Sequence, residues 1–550
     1  MDRTAVLDRN DPGGAEREPL TQGDVAALQQ VMAASGLPHM ALAGRTTVVF
    51  AFPGMGIGDV YPELAGCTRE VCAFIEESAV FDQHGVQVVG LSTEPVETPP
   101  GCIAIPFPVG LLPQDEIVSP LTYVDKGDQR FAVRASYLVY PDGTGERIGS
   151  VTDVVAHARK CLSVVTDRRL ARFRDASLDH LRRSGAARTV MEAQGVLANG
   201  ADSVAISRVQ LRCELVAKMA DPAIVAQEAG YIERINSVMT DAGRPPIFPT
   251  VVGVCTDEQP GWYLMEAADP VTLDRTAFTD RDRTALSSWG TAMVQLAIRK
   301  VAALYDLTFR AETPAVSRYH YHERFLAIVR REDFRDTFTT LKAGRDIAEV
   351  LATPVLLPDG TSCRSFDEQM AFLAGHIDEL CEPVGAYVHG DLHLPNMLPS
   401  ADGTDVVLID PRVVWDGNDV GDPGFCDPMY DLATLLHSLH VMSAILHAIE
   451  EGGSDRLLLF SADGRVQQGV LLVAGNPLEE SFLTWVERET DPKILGERWR
   501  ARLHIGAANA LFGWLKYARA VQTRHAWDAI FVSVLYQLDQ GRRALEEERS

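Results

Sequence analysis

The segment His389-Gly390-Asp391-Leu392-His393-Leu394-Pro395-Asn396 puts a carboxylate and an amide five residues apart on one polar turn. Shortly after it, Val406-Val407-Leu408-Ile409-Asp410-Pro411 ends an apolar, β-branched run on a second carboxylate. Phosphoryl transfer needs that set of groups. One carboxylate orients an acceptor hydroxyl and receives its proton, while an amide oxygen and a second carboxylate hold Mg²⁺ against nucleotide phosphates. A surface turn before an ordinary strand predicts neither the Asp-to-Asn spacing nor an Asp at the strand end. A fixed cation for the α- and β-phosphates is the next requirement. Val216-Ala217-Lys218-Met219, an apolar strand with one Lys, lies upstream in the order a kinase requires.

The pattern H-G-D-x-H-x-x-N followed by I-D-[PFW] resembles the catalytic loop and metal-binding Asp of the aminoglycoside phosphotransferase family, a branch of the protein-kinase-like fold. The resemblance covers roughly residues 186 to 550 and is sharpest between His389 and Ala433. It implies ATP and Mg²⁺ as cofactors, Asp391 as catalytic base, and Asn396 and Asp410 as metal ligands. It pairs Lys218 with an anionic residue of the next helix, Glu228 first and Glu233 in reserve. The phosphate-covering turn would be Ala198 to Ser203, with Asn199, Gly200 and Ser203 at the nucleotide and Gly200 permitting close backbone approach. Trp262 to Ala267 resembles the inter-lobe hinge, with backbone near Glu266 and Ala267 meeting the adenine edge. Asp427-Pro428-Met429-Tyr430-Asp431-Leu432-Ala433 resembles the family's helix-starting D-x-x-x-D-L-A, where Asp431 receives backbone N–H bonds from the catalytic loop. His389 is expected to brace that loop, and His393 is open to either role. Pro395 stands where the family has Gly, which stiffens the loop and removes no reactive group.

The amino-terminal half carries a different chemistry. Ala65-Gly66-Cys67-Thr68-Arg69-Glu70-Val71-Cys72 follows a strand and opens a helix. A Cys at a helix N-terminus is biased toward thiolate, and a second Cys five residues on could resolve a sulfenic acid after local unwinding. This stretch resembles the AhpC/TSA-type peroxiredoxins of the thioredoxin fold. Phe50-Ala51-Phe52-Pro53, Gly90-Leu91-Ser92-Thr93, Ile105 to Pro108 and Arg134 to Val139 add to the likeness. The resemblance makes Cys67 and Cys72 the redox pair, Arg134 the thiolate-stabilising cation, and a thiol reductant the partner. The family's Thr three residues before the first Cys is Leu64 here, so slow peroxide turnover is expected.

These motifs need elements to position them. The helix Val25 to Met32 belongs to a leader, 1–38. A thioredoxin-like mixed-sheet domain spans 39–165, with strands Thr47–Phe52, Val86–Leu91 and Phe131–Tyr140 and helices from Thr68 to Phe81 and Val151 to Leu162. A helical connector occupies 166–185, including the basic stretch Arg168 to Arg183. A β-rich small lobe spans 186–270 and a large helical lobe 271–550. The fold class is therefore α/β followed by a bilobal α+β, kinase-like part.

Composition sets outer bounds. The chain has 550 residues, 46% hydrophobic and 23% charged, ordinary for a globular protein with several cores. A net charge of −25 argues against nucleic-acid and anionic-membrane partners. No apolar run is read as reaching the ~20 residues of a membrane helix, and the polar start reads as no signal peptide; a cytoplasmic location is expected. Nine cysteines do not form a secreted disulfide framework. The expected activity is phosphorylation of a small-molecule hydroxyl. Thiol peroxidase activity with a degenerate kinase half, or nucleotide binding without turnover, stand as alternatives. The acceptor, the nucleotide base (ATP against GTP) and the oligomeric state are not legible.

Overall fold

A computed structural model describes residues 17–35, 37, 45–64, 67–96, 105–112, 119–149, 154–184, 190–200, 203–212, 215–268, 271–400, 402–415, 421–461, 463–467 and 476–547. For 63, 67, 154, 155, 177–184, 190–200, 203–212 and 519 it describes the backbone alone. Two compact units are present: residues 1–226 with 251–265, and residues 227–250 with 266–550.

The first unit is organised by β2 (Thr47–Phe52), whose TVVFAF run is buried at every position. A strand apolar on both faces needs cover on both sides. Val48, Phe50 and Phe52 face one core with Val71, Phe74 and Phe81, while Val49 and Ala51 face another with Val25, Leu28 and Val31. The second core is closed by α1 (Gln22–Ala34), capped by a reciprocal Thr21–Asp24 box and preceded by β1 (Arg17–Leu20). The first is closed by α2 (Cys67–Glu76), α3 (Ser78–Gln83) and, later, α4 (Val154–Ser184). Between them run β3 (Gln87–Ser92), β4 (Val109–Leu111), the hairpin β5 (Tyr123–Lys126) and β6 (Gln129–Ala132), then β7 (Ala135–Val139) and β8 (Gly145–Ile148). The sheet order is β1-β8-β7-β2-β3-β4, with β2, β3 and β4 parallel and β7 antiparallel to β2.

Three sequence expectations change here. The helix placed over Thr68–Phe81 is two helices, broken at Glu77. The strand placed over Phe131–Tyr140 is the end of β6 and all of β7, which belong to different sheets. The helix Val151–Leu162 and the basic connector are one 31-residue helix, α4. Its polar second half is held sideways: Arg172 pairs with Glu258 and, at 3.3 Å, with Asp257, and Phe173 meets Trp262 edge-on at 4.9 Å. Charge pairing and ring packing compensate for a low apolar content that made the segment read as a linker.

Beyond α4 lie the two-stranded β9 (Val190–Gly200) and β10 (Ser203–Arg212), then β11 (Leu215–Ala220), α5 (Pro222–Asp241), β12 (Val251–Cys255) and β13 (Gly261–Glu266). The last three strands form a sheet in the order β11-β13-β12.

The second unit is mainly helical. Helices Arg324–Arg330, Phe366–Leu380, Trp499–Trp514 and Arg524–Glu547 share one apolar core, where Phe366 stacks on Phe512 at 4.9 Å and Trp527 on Phe531 at 5.1 Å. Pro428–Glu450, a 23-residue helical stretch, is long and apolar enough to cross a membrane by composition, contrary to the sequence expectation; most of it is buried inside the unit. It carries Asp431, which fastens the loop from His389 to Asn396.

Candidate active site

The loop from His389 to Asn396 is launched by the bridge strand Ala386–Tyr387, which pairs with Phe425–Cys426. Gly390 has φ +80°, and a Cβ there would meet the Arg412 carbonyl oxygen, so only glycine makes this turn. Asp431, fully buried on the helix Pro428–His437, accepts from the His389 and Gly390 amides at 2.8 Å each and from the Tyr305 hydroxyl at 2.7 Å. Burial pushes its pKa up to about 6, partly offset by those three donors. This is the anchoring role expected for it. His389 is buried too. Its Nε2 donates to the Ile409 carbonyl at 2.8 Å and its Nδ1 accepts from the Asp391 amide at 3.3 Å, a pattern that sets the tautomer. Burial lowers its pKa to about 4, so it is a neutral brace.

Asp391 is thereby presented with its carboxylate a quarter exposed. Burial raises its pKa, but hydrogen bonding and charge from His393, and then the charge of Arg412, outweigh that and hold it well below the usual carboxylate range. Arg412 Nη2 lies 3.1 Å from Oδ2 and His393 Nδ1 3.4 Å from Oδ1. Pro395 sits in the first turn of the short helix Leu394–Asn396, where its missing N–H costs nothing. The Asn396 side-chain amide donates to the Asp391 carbonyl at 3.0 Å, which leaves its amide oxygen as the group it can offer a cation.

The hairpin Met397–Pro399 with Val406–Leu408 then brings the second carboxylate round. Met397 faces Leu408, and the Ile409 amide donates to the Asn396 carbonyl at 3.0 Å, so Asn396 and Asp410 leave the hairpin at the same end. Asp410 is exposed and has φ +62°, a left-handed conformation uncommon outside glycine and tolerated best by Asn and Asp. Two such oxygens suit Mg²⁺, which fills its remaining positions with phosphates and water. Among the described residues no cluster of three or more His, Cys, Asp and Glu side chains forms a closed metal cage.

The other nucleotide candidates are distributed as follows. Glu266 ends β13, its amide donating to the Thr250 carbonyl at 3.0 Å, and Ala267 follows it in the second unit. Glu228 is buried on α5, in the second unit, whereas Glu233 is exposed. Lys218 is half-buried on β11, in the first unit. Gly200 pairs with Ser203 where β9 meets β10; the side chains of Asn199 and Ser203 lie outside the described residues.

In the amino-terminal half, Cys67 is the first residue of α2 as expected, with its side chain outside the described residues, and Cys72 is half-buried five residues along. Leu64 closes a short helix before it. Arg134 lies between β6 and β7, where its charge acts on Glu70 and His157.

Sequence reasoning missed the wall in front of Asp391. A cavity of about 260 Å³ opens there, lined among others by Arg324, Arg412, Tyr430, His437, Trp514 and Tyr517. Arg412, two residues after Asp410, and Tyr430, within the segment Asp427 to Ala433, were findable by position; Arg324, Trp514 and Tyr517 come from distant parts of the chain with no spacing signal.

No family model and no curated protein matches the sequence. Among solved structures, a glucosamine kinase matches at 16% identity over 78% of this chain and 92% of that one, with a TM-score of 0.33. An aminoglycoside-3'-phosphotransferase of type VIII matches at 19% identity, 61% and 99%, TM-score 0.27. A Plasmodium vivax ethanolamine kinase matches at 12%, 64% and 81%, TM-score 0.31. These neighbours are small-molecule kinases, but at that level of superposition they carry no argument about this chain.

Proposed function

We propose that the chain is an ATP- and Mg²⁺-dependent phosphotransferase acting on a hydroxyl of a small molecule. The observation that carries this is Asp391: a carboxylate kept charged by Arg412 and His393, on a loop fastened by Asp431 and His389, at the wall of a cavity. Asn396 and Asp410 would hold Mg²⁺, which supplies charge neutralisation at the transferring phosphoryl group. Lys218 and Glu228 are the pair assigned to the α- and β-phosphates, and the backbone near Glu266 and Ala267 to the adenine. In the transfer, the acceptor oxygen bonds to the γ-phosphorus as the bridge to ADP breaks, ADP leaving with the electron pair. With its pKa so low, Asp391 works chiefly by orienting the hydroxyl and passing its proton on to solvent.

A second reading concerns the first unit. The order β8-β7-β2-β3, with β7 and β8 antiparallel neighbours and a helix opened by Cys67 after β2, supports a thioredoxin-like redox module. Residues 39–165 are proposed as that module, 186–270 and 271–550 as the two kinase-like lobes.

The test is ADP release from ATP by the full chain across a panel of hydroxyl compounds, with Mg²⁺ titrated. Asp410→Ala is expected to weaken the Mg²⁺ dependence at least ~10-fold, about 1.4 kcal/mol. An identical Mg²⁺ titration in mutant and parent removes Asp410 from the metal site. Nucleotide binding without ADP release under every condition leaves the scaffold alternative.

A further inference from the structure

The cavity in front of Asp391 has a composition that restricts the acceptor, and the argument rests on the phosphotransferase reading above only for which end of the molecule reacts. Its volume of about 260 Å³ falls just under the ~300–1,000 Å³ typical of sites for drug-sized ligands. The acceptor is therefore compact.

The charge on the wall is equally specific. Among the described lining residues Asp391 is the single carboxylate, against the guanidiniums of Arg324 and Arg412. Arg412 is engaged with Asp391 at 3.1 Å. His437, buried, has its pKa lowered to about 3 by burial and then by His393, so it adds no positive charge to the wall. The wall is thus net cationic, and its deep cation is Arg324.

Arg324 opens the helix Arg324–Arg330 and is only 4% exposed. Its Nη1 donates to the Tyr430 hydroxyl at 3.1 Å and to the Asn509 side-chain oxygen at 2.5 Å. These two neutral acceptors hold the Nη1 edge of the guanidinium in place. Tyr430 is itself held by stacking on His320 at 3.7 Å. Gly513 completes the seat: a Cβ there would stand 3.0 Å from Arg324 Nη2. Across the mouth, half-buried Trp514 and half-exposed Tyr517 form an edge-on aromatic pair, 6.5 Å between centroids. A planar, preoriented guanidinium at the floor of a small cavity recognises an oxyanion, because its fork matches carboxylate and phosphate geometry. An ammonium substrate would need carboxylates in the same place.

We propose that this cavity takes the acceptor as a small hydroxy anion, with its hydroxyl at Asp391, its carboxylate or phosphate at Arg324, and its carbon skeleton against Trp514 and Tyr517.

The experiment uses the full chain with three probes of similar size: 3-hydroxypropionate, 2-hydroxyethyl phosphate and 3-amino-1-propanol. Binding is followed by ligand-observed NMR and transfer by ADP release with ATP and Mg²⁺. One or both anions should bind at least ~10-fold more tightly than the amine; which one wins separates a carboxylate site from a phosphate site. Arg324→Gln should remove that preference and Arg324→Lys restore part of it. Since Arg324 is buried and its variants can disturb folding, Tyr517→Glu provides a second arm. It adds a negative charge on the half-exposed rim and should weaken the anions while sparing the amine. Equal or tighter binding of the amine overturns the proposal, as does an anion preference untouched by Tyr517→Glu and Arg324→Gln together. Failure of all three probes to bind in the millimolar range also overturns it. Anion binding without any ADP release would instead leave the anion seat standing and overturn the phosphotransferase reading.

Discussion

Asp391 and Glu70 are both carboxylates set into the interior, one in each unit, and their surroundings push them in opposite directions. Asp391 has Arg412 and His393 against its two oxygens and stays ionised far below the usual range. Glu70, on the inner face of α2, is 2% exposed; burial drives its pKa up to about 7 and the charge of Arg134 only moderates that. Its histidine neighbour is neutral. His157 has its pKa lowered to about 4, by burial first and Arg134 second, and spends its Nε2 on the Ser136 hydroxyl at 2.7 Å, 3.8 Å from Glu70. Glu70 Oε2 is buried with no hydrogen-bond partner among the described residues. The second unit has built a permanent charge facing a cavity. The first has built a carboxyl group close to the point of losing its proton, sealed under the cysteine-bearing helix.

The sharpest way to break that comparison is to neutralise the charged member. Asp391→Asn should leave the loop in place, because the loop is held by Asp431 and His389, and should lower kcat by ~10²–10⁴ with ATP binding kept. Unchanged turnover in a steady-state assay would remove the charge from the chemistry. Because the carboxyl pKa is depressed, Asp391 remains ionised as pH falls, so the acid limb of kcat between pH 8 and 5 should not be its titration. Asp431→Ala attacks the fastening instead. It strands two amides and the Tyr305 hydroxyl in the interior, and at ~1–3 kcal/mol for a buried unsatisfied group the loss should be about 3 kcal/mol or more. Denaturant unfolding of the second unit reads it; a loss under about 1 kcal/mol would mean that the loop is held by other contacts.

How much of this was legible from residues alone divides along the same line. The segment from His389 to Asp410 could be read because its groups lie close in sequence: Gly390 is demanded by a positive φ, Asp391 and Asn396 share one loop, and Asp410 stands two residues beyond the paired strand Val406–Leu408. The strands β2 and β3 were legible because both are apolar and β-branched, within one residue of their ends. α4 was cut in two because its second half is basic and gains its support from Asp257, Glu258 and Trp262, far along the chain. β4 and β1 leave no clear mark in the sequence: three- and four-residue edge strands carry too little pattern to stand out. The cavity wall was invisible for the same reason as the support of α4. Arg324, Tyr430 and Trp514 meet only after three helices have packed, and no spacing encodes that.

The sealed carboxyl of the first unit should show itself in stability. Its folded-state pKa, about 7, lies above the ordinary value of 4.5. The folded protein thus holds that proton more tightly, and the stabilisation is full below the unfolded value and lost as pH rises through about 7. Between pH 5 and 8 the loss should approach ~3 kcal/mol as an upper bound. Glu70→Gln keeps the shape and removes the proton exchange, so its stability should be flat over the same window. Hydrogen exchange of the α2 amides at several pH values measures both. A parent protein as flat as the mutant would mean that Glu70 reaches solvent or a cation, and the contrast with Asp391 would fall.

The smallest expected effect lies at the cysteines, and it decides whether the first unit does chemistry at all. Cys67 opens α2 and Cys72 lies half-buried one and a half turns inside it. The orphan amides and dipole of the helix start favour the thiolate of Cys67, and they act little on Cys72. Cys67 should therefore alkylate faster near neutral pH, as peptide mapping after limiting reagent would show. A disulfide between positions five apart cannot form on an intact helix, since its Cβ atoms must approach to about 4 Å. Peroxide should therefore yield the Cys67–Cys72 peptide only as fast as α2 unwinds. Leu64, where the resemblance to peroxiredoxins would place a hydroxyl for the peroxide, is expected to slow the first step too. Slow, peroxide-dependent appearance of that peptide supports a redox module, and above pH 7, where ionised Glu70 destabilises α2, its appearance should be slower in Glu70→Gln if loosening of α2 limits the rate. Preferential labelling of Cys72, or no Cys67–Cys72 peptide after prolonged peroxide, would leave the first unit a structural domain and leave the proposed chemistry to the charged loop of the second unit.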